Sequence, residues 1–447
     1  MTVWFEQRLR QRADGFALRG PWGDCAYGDL ARLTEASRAD LRALALEGPS
    51  VFALVGEHSP AAVAWLFALA EAGHCVAPLA GNLAEHPGKL AEIGAQWIVT
   101  CDGFAWKVLP RVAEPSAHAA FARLRGVGHA GLVLFSSGTS GRPKAMVQDL
   151  TALLATYESR RPNQLPVLAL LGFDHIGGLN TLFGTLAAGA PLVVPADRSV
   201  AAVAAAMARC RVVVLPASPT FLNLLLVSGE YRMHDLSALR VITYGTEPMP
   251  AGLLVRLREA FPQARLIQTF GTSETGIART ESPDASSTFI RFTDPLLEWK
   301  VVDGELWLRS QTQVAGYLDP REGVDRFTAD GWFRTGDRVE LGSEGTLRIL
   351  GRMGEAINVG GEKLMPAEVE AVILTVAGVV DCRVRGEANS LVGQTVVADV
   401  VCDPSAEPEN LRSAIRTACR RALAAHKAPT KVRFVDAVSG PRLKKLR

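Results

Sequence analysis

The chain has 447 residues, 48% hydrophobic and 21% charged, enough for more than one domain with a sizeable buried core. Lys plus Arg number 48 against 46 Asp plus Glu, and a net charge of +2 gives no general attraction to nucleic acid or to an anionic membrane, which favours small-molecule chemistry. The start Met1-Thr2-Val3-Trp4-Phe5-Glu6-Gln7-Arg8 lacks a basic then apolar leader, and no later stretch is long and uncharged enough to span a bilayer. The seven cysteines are scattered without a CxxC pair, so a cytoplasmic enzyme with reduced, mostly buried thiols is expected.

From about residue 50 to 200, short apolar runs alternate with Ala/Leu-rich segments. Residues 51–55 predict a strand, 61–72 a helix and 75–79 a second strand, the pattern of βαβ units on a parallel sheet. Residues 132–135, 212–215, 241–244 and 266–270 read as further buried strands, most of them running into Gly, Pro, Ser or Thr, and ligands sit in the loops beyond strand ends of such sheets. After about residue 284 the texture becomes β-rich and barrel-like, with a hairpin over 301–308 around Asp303-Gly304 and a strand over 345–350. The last hundred residues predict helices at 367–376 and 410–425 and strands at 379–384 and 395–401. The fold class expected is α/β: a large N-terminal domain of parallel and mixed sheets over residues 1–352, with a β-barrel-like subdomain at about 285–350, and a small, mobile α+β lid domain over 353–447.

The strand at 132–135 runs into Ser136-Ser137-Gly138-Thr139-Ser140-Gly141-Arg142-Pro143-Lys144. Four hydroxyls, two glycines and a lysine suit a polyphosphate, because glycines let successive N–H groups turn toward an anion and Lys144 adds a point charge. The spacing is not that of a Walker A loop, and a plain Gly/Ser surface turn is the alternative. The segment resembles the signature loop of the adenylate-forming superfamily, which includes acyl-CoA synthetases, peptide-synthetase adenylation domains and luciferases. Further resemblances follow in the expected order from about residue 50 to the C-terminus. The first fifty residues add nothing to this reading.

The resemblance implies the remaining roles. In Gln268-Thr269-Phe270-Gly271-Thr272-Ser273-Glu274, Phe270 would stack on adenine and Glu274 would be a ligand of Mg2+ carried with ATP, although Phe270 and Ser273 stand where Tyr and Thr are commoner. Thr243-Tyr244-Gly245-Thr246-Glu247-Pro248 would border the adenine and the acyl pocket. Asp337 of Thr335-Gly336-Asp337 would accept both ribose hydroxyls, two acceptor oxygens meeting two vicinal donors. Arg352 would contact ribose and phosphate, Gly354 would be the hinge between domains, and Gly360-Gly361 would line the channel for an incoming pantetheine thiol. In Gly440-Pro441-Arg442-Leu443-Lys444-Lys445-Leu446-Arg447, Lys444 aligns with the catalytic lysine when Arg447 is matched, and Lys445 is the alternative register.

The acyl side is read from Leu171-Gly172-Phe173-Asp174-His175-Ile176-Gly177-Gly178-Leu179. In one register His175 is the gate and Ile176, with Thr243, lines the pocket. In the other, Asp174 binds the α-ammonium of an amino acid. The first is favoured because a buried carboxylate without a partner is costly and the neighbours in sequence are apolar. The chain thus resembles compact stand-alone acyl-CoA synthetases and acyl-carrier-protein ligases of fatty acid or polyketide metabolism. That implies ATP and Mg2+, a fatty or aromatic acid, and CoA or the phosphopantetheine of a separate carrier protein as acceptor. An amino-acid adenylating enzyme, a luciferase-type oxidoreductase and a non-catalytic nucleotide-binding protein are the other readings. No cysteine is required as a nucleophile.

Overall fold

The computed structural model describes residues 3–113, 118–137, 143–284, 287–314, 316–319, 321, 323 and 325–438. Two sheets organise the N-terminal part. The six-stranded sheet runs Ala105–Pro110, Trp97–Asp102, Val51–Val55, Cys75–Leu79, Gly131–Ser137, Pro143–Asp149, parallel in the middle and antiparallel at both edges. The seven-stranded sheet runs Arg265–Gln268, Val241–Tyr244, Val214–Ala217, Val167–Leu168, Leu192–Val193, Phe16–Gly20, Gly23–Ala26. The strands expected at 51–55, 75–79 and 241–244 form as read. The one expected at 212–215 lies two residues later, and the one expected at 266–270 ends at Gln268, with Phe270–Thr272 crossing into a separate hairpin.

The helix Pro60–Glu71 explains how the sheets share a core. Ser59 caps it, its hydroxyl accepting from Ala62 N at 3.2 Å, and Pro60 supplies a pre-set φ at the first turn. Residues 60–70 are all buried, and its many alanines admit close neighbours on every side. One apolar cluster joins this helix to Phe52, Leu54 and Leu132 of the six-stranded sheet and to Leu18 and Leu192 of the seven-stranded one. The N-terminus contributes too. Helix Val3–Gln11 buries Trp4, Phe5 and Leu9, and the Phe5 ring stacks on Phe67 with centroids 3.6 Å apart. The described part of the first fifty residues therefore helps close this core.

The barrel-like subdomain takes the form of a four-stranded antiparallel meander: Leu297–Val302, Glu305–Ser310, Phe333–Leu341 and Leu347–Arg352. Its first turn is Asp303-Gly304, both at positive φ (51° and 77°), as a two-residue hairpin demands. The C-terminal part has its own apolar core, including Ile357, Val369, Val400 and Ile415. Helices Pro366–Ile373 and Pro408–Ala422 pack there on a sheet built around Val379–Asn389 and Gly393–Cys402. The two parts meet where Asn223 Nδ2 donates to Val380 O at 2.7 Å while Asn223 Oδ1 accepts from Arg256 at 3.1 Å. A cavity of about 200 Å³ beside this contact is lined by Pro219, Met249, Leu253, Ile349, Ala371 and Leu374.

All seven cysteines are free thiols, and burial pushes Cys25 and Cys101 up to about 12 and Cys75 and Cys419 up to about 11. Among the described residues no helix is long and apolar enough to cross a membrane. Truncating the stacked ring in Phe67→Ala should cost about 3–5 kcal/mol, read as a lower denaturant midpoint. A loss below about 1 kcal/mol would show that the N-terminal helix contributes little to the core.

Candidate active site

The phosphate-loop strand Gly131–Ser137 returns through Pro143–Asp149, with Ser136 opposite Lys144 and Ser137 opposite Pro143. Gly138, Thr139, Ser140 and Gly141 lie outside the described residues, but both ends of their loop are thereby fixed. The Lys144 ammonium sits over the ring of Tyr317, 5.8 Å from its centroid.

Glu274 occupies the turn between Phe270–Thr272 and Gly276–Ala278, strands that pair Phe270 with Ala278 and Thr272 with Gly276. The turn is tightly held. Thr275 N donates to Thr272 Oγ1 at 3.1 Å, Thr312 Oγ1 donates to Thr275 O at 3.3 Å, and Val314 N donates to Glu274 O at 2.9 Å. Gly271 is required there, since a Cβ would lie 2.6 Å from Gly276 O. The Glu274 side chain is buried, and its Oε1 accepts from the Tyr317 hydroxyl at 2.6 Å. Burial and the Glu274 charge push the Tyr317 phenol far above its ordinary range, so the hydroxyl stays a donor. Among the described residues no three His, Cys, Asp or Glu side chains cluster into a metal cage. A Mg2+ ion carried by nucleotide phosphates needs only one or two protein carboxylates, and Glu274 fits that demand with Oε2 left beside the Tyr317 bond.

Phe270 is half-buried with its edge on Phe292, centroids 5.8 Å apart. The adjoining segment is locked to it: Thr269 N donates to Tyr244 O at 2.7 Å, and a Cβ on Gly245 would meet Thr269 O at 2.6 Å. Thr246 follows at φ +72°, a left-handed conformation that a β-branched residue adopts only under constraint, and its side chain is exposed. Ser273 is half-buried beside Glu274, and Pro248 lines the cavity between the two parts of the chain. Glu247 is directed elsewhere: its carboxylate accepts from Thr220 N at 3.2 Å and Thr220 Oγ1 at 2.7 Å, satisfying the first turn of helix Pro219–Val227.

Asp337 and Arg352 face each other across the meander, in register and with Arg352 Nε 3.0 Å from Asp337 Oδ1. Thr335 Oγ1 accepts from Asp337 N at 3.0 Å, and Arg352 Nη1 donates to Thr335 O at 2.7 Å. Arg326 closes the other side, leaving no room at Gly336, whose added Cβ would lie 2.5 Å from the guanidinium. Burial pushes the Asp337 carboxyl up to about 6, against the pull of Arg352, Thr335 and Arg326, with Glu355 adding to the rise. The same two arginines bear electrostatically on Tyr317, which places the meander's pair near the Lys144–Tyr317–Glu274 group.

On the acyl side, His175 is the extended N-cap of helix Ile176–Ala187, with Ile176 buried and Thr243 half-buried at the end of its strand. Here the expectation of apolar neighbours for Asp174 fails. Asp174 Oδ1 lies 3.7 Å from His175 Nε2, and a Cβ at Gly172 would meet Asp174, His175 and Arg198 at 2.7, 3.3 and 3.5 Å. Arg198 in turn donates to Glu57 at 2.9 Å. Phe173 before it is apolar, but His175 follows directly in the chain, and Arg198 and Glu57 are brought up from segments farther away in sequence. His58, edge-on to Phe173 at 5.2 Å, is pushed down to about 4 by burial and then by Arg198, so it is neutral at physiological pH.

Gly354 lies exposed in the turn Met353–Glu355 with open space around it. Gly360 and Gly361 form an exposed hairpin tip at φ 61° and 93°, with Gly360 N donating to Val392 O and Gly361 N to Asn358 Oδ1. Lys444 and Lys445 lie outside the described residues. Tyr317 and Arg326 escaped the sequence reading; a lone aromatic residue in a polar connector was the sole local sign of Tyr317.

Residues 126–318 match the family described as AMP-binding enzyme, and 368–445 match the AMP-binding enzyme C-terminal domain. The chain is 28% identical over 465 residues to 4-coumarate--CoA ligase-like 6 of Oryza sativa subsp. japonica, covering 92% of this chain and 75% of that one. It is 27% identical over 502 residues to the indoleacetate--CoA ligase of Aromatoleum aromaticum, covering 100% and 96%. The crystal structure of the anthranilate CoA ligase AuaEII in complex with anthranoyl-AMP shares the fold, with a TM-score of 0.83 at 21% identity over 100% of this chain and 95% of that one.

If the Asp337 carboxylate accepts ribose hydroxyls, AMP affinity should fall as pH drops through about 6, approaching roughly tenfold per unit below it. Asp337→Asn should bind weakly with no such dependence. Calorimetric titration from about pH 5 to 8 checks this, and a flat wild-type profile would count against the ribose role.

Proposed function

The chain belongs to the AMP-binding enzyme family, and from that premise we propose that it is an AMP-forming acid–thiol ligase acting on an aromatic carboxylic acid. A carboxylate oxygen of the acid attacks the α-phosphorus of ATP and pyrophosphate departs, giving acyl-AMP. The thiol of CoA then attacks the acyl carbon, and AMP leaves with the bond electrons. The observation that carries this reading is the meeting on Tyr317 of Lys144 from one sheet and Glu274 from the hairpin after the other, with Arg352, the partner of Asp337 in the meander, near enough to bear electrostatically on the same phenol.

The chain's residues take complementary parts. Ser136, Ser137 and the loop through Gly141 offer donors to the phosphates, and Lys144 offsets their charge. Phe270 offers a ring to adenine, with Gly245, Thr246 and Thr269 supplying backbone and hydroxyl groups around it. Asp337 and Arg352 hold the ribose. Mg2+, held at Glu274, would offset phosphate charge when bound. Lys444 would meet the attacking carboxylate and the α-phosphate as charge builds there. Asp174 Oδ1 lies 3.7 Å from His175 Nε2, with Arg198 close by, which supports an orienting role at the acyl gate over capture of an ammonium group. A ring-bearing acid is favoured over a long-chain fatty one, and an aromatic ring over an alicyclic one, because several relatives are named for coumarate, indoleacetate and succinylbenzoate, while two others are named for an octahydro-indenyl propanoate. A division at residue 352, with Gly354 as pivot and Gly360-Gly361 beside the thiol path, would let one small domain serve both half-reactions.

Pyrophosphate exchange should run with aryl acids, more slowly with aliphatic ones and poorly with α-amino analogues; preference for the amino acids would overturn the Asp174 assignment. The second half should form a thioester with CoA, and exclusive transfer to a carrier protein would revise the acceptor. Lys444→Ala should reduce exchange by about 10²-fold or more while ATP binding persists. Full exchange in Lys444→Ala with loss in Lys445→Ala would shift the catalytic role by one residue.

A further inference from the structure

Tyr317 is absent from the nucleotide, ribose and acyl roles above, yet its segment is attached on both sides to groups that meet the polyphosphate. Its backbone bridges Met146, and Leu318 N donates to Ala145 O at 2.8 Å, both in the strand that carries Lys144. Just upstream, Val314 N donates to Glu274 O at 2.9 Å, and Gln148 Nε2 donates to Thr312 O at 2.8 Å. The side chain repeats this double attachment, with its hydroxyl on Glu274 Oε1 and its ring beneath the Lys144 ammonium. The ring is wedged against Phe327, centroids 6.0 Å apart, and a Cβ at Gly323 would lie 2.4 Å from it.

We infer that Tyr317 is a positioning residue for adenylation: its hydroxyl fixes the Glu274 carboxylate by one oxygen, leaving the other for the cation, and its ring sets the height of Lys144. A carboxylate on a two-carbon stem has several rotamers, and only some present an oxygen to a cation bridging phosphates. One strong bond to a held ring removes that freedom. The ring contributes to Lys144 through its electron-rich face. The inference rests on reading Glu274 as the Mg2+ contact and Lys144 as a phosphate contact.

Tyr317→Phe keeps the ring and removes one oxygen. The full-length enzyme with a non-hydrolysable ATP analogue is titrated with Mn2+, followed by electron paramagnetic resonance. Tyr317→Phe should weaken Mn2+ binding about tenfold or more, the scale of one lost hydrogen bond to a charged group. The Mg2+ dependence of pyrophosphate exchange should move to higher concentration by a similar factor. Thioester formation from supplied acyl-AMP and CoA, which needs no metal, should stay within about twofold. Tyr317→His, which restores a ring donor, should recover part of the affinity, and it keeps the test open should the phenylalanine variant fold poorly. Glu274→Gln serves as the reference, and adding Tyr317→Phe to it should weaken Mn2+ no further. Unchanged Mn2+ affinity in Tyr317→Phe, alongside a loss in Glu274→Gln, overturns the positioning role alone. Unchanged affinity in Glu274→Gln removes the underlying assignment of Glu274 and the inference with it. Equal losses in both half-reactions would reduce Tyr317 to a packing residue.

Discussion

The proposed chemistry depends on a short connector, of which residues 312–314 and 316–318 are described, stitched to two separate pieces of structure. Its backbone holds the Glu274 turn on one side and the Lys144 strand on the other through Val314, Leu318 and the bridge to Met146. A carboxylate and an ammonium that lie 130 residues apart in sequence are thereby set facing a common space. Neither sheet alone could do this, because each group stands at the margin of its own sheet. The Asp337–Arg352 pair then completes the arrangement from the antiparallel meander, with Arg326 packed behind Gly336.

Much of this was legible in the sequence because the signals are local. Apolar runs of five residues between Gly- and Ser-rich loops gave the parallel strands at Val51–Val55 and Cys75–Leu79, and Asp303-Gly304 gave its hairpin. The motifs that carry the family resemblance are contiguous as well, and the chain matches that family. What stayed hidden are pairings between distant segments. Tyr317 meets Glu274 across 43 residues, Arg198 meets Glu57 across 141, and Trp4 bonds the carbonyl of Leu154 across 150. No periodicity in any window encodes these contacts. The environment of Asp174 was misjudged in part on that account, since Arg198 and Glu57 reach it from segments that the local sequence does not announce.

Glu247 illustrates a different gap. It lies in a segment expected from the family resemblance to border the nucleotide, yet its carboxylate completes the first turn of helix Pro219–Val227. Type and position in a motif are visible in sequence, but the direction of a side chain is decided by the nearest unmet donor. The same helix carries Asn223 across to Val380, so the segment of Glu247, one helix turn and the seam between the two parts of the chain are joined by polar contacts.

The cysteines acquire a meaning from the chemistry proposed around them. An acyl-adenylate is an electrophile that reacts with any competent thiolate, and a catalyst that makes one is exposed to acylating itself. Burial keeps Cys25, Cys75, Cys101 and Cys419 protonated, with roughly one thiol in 10⁴ to 10⁵ ionised at neutral pH. Packing that serves the core therefore also protects the product. A thiol arriving from outside then meets an activated acyl group for which these four cysteines do not compete.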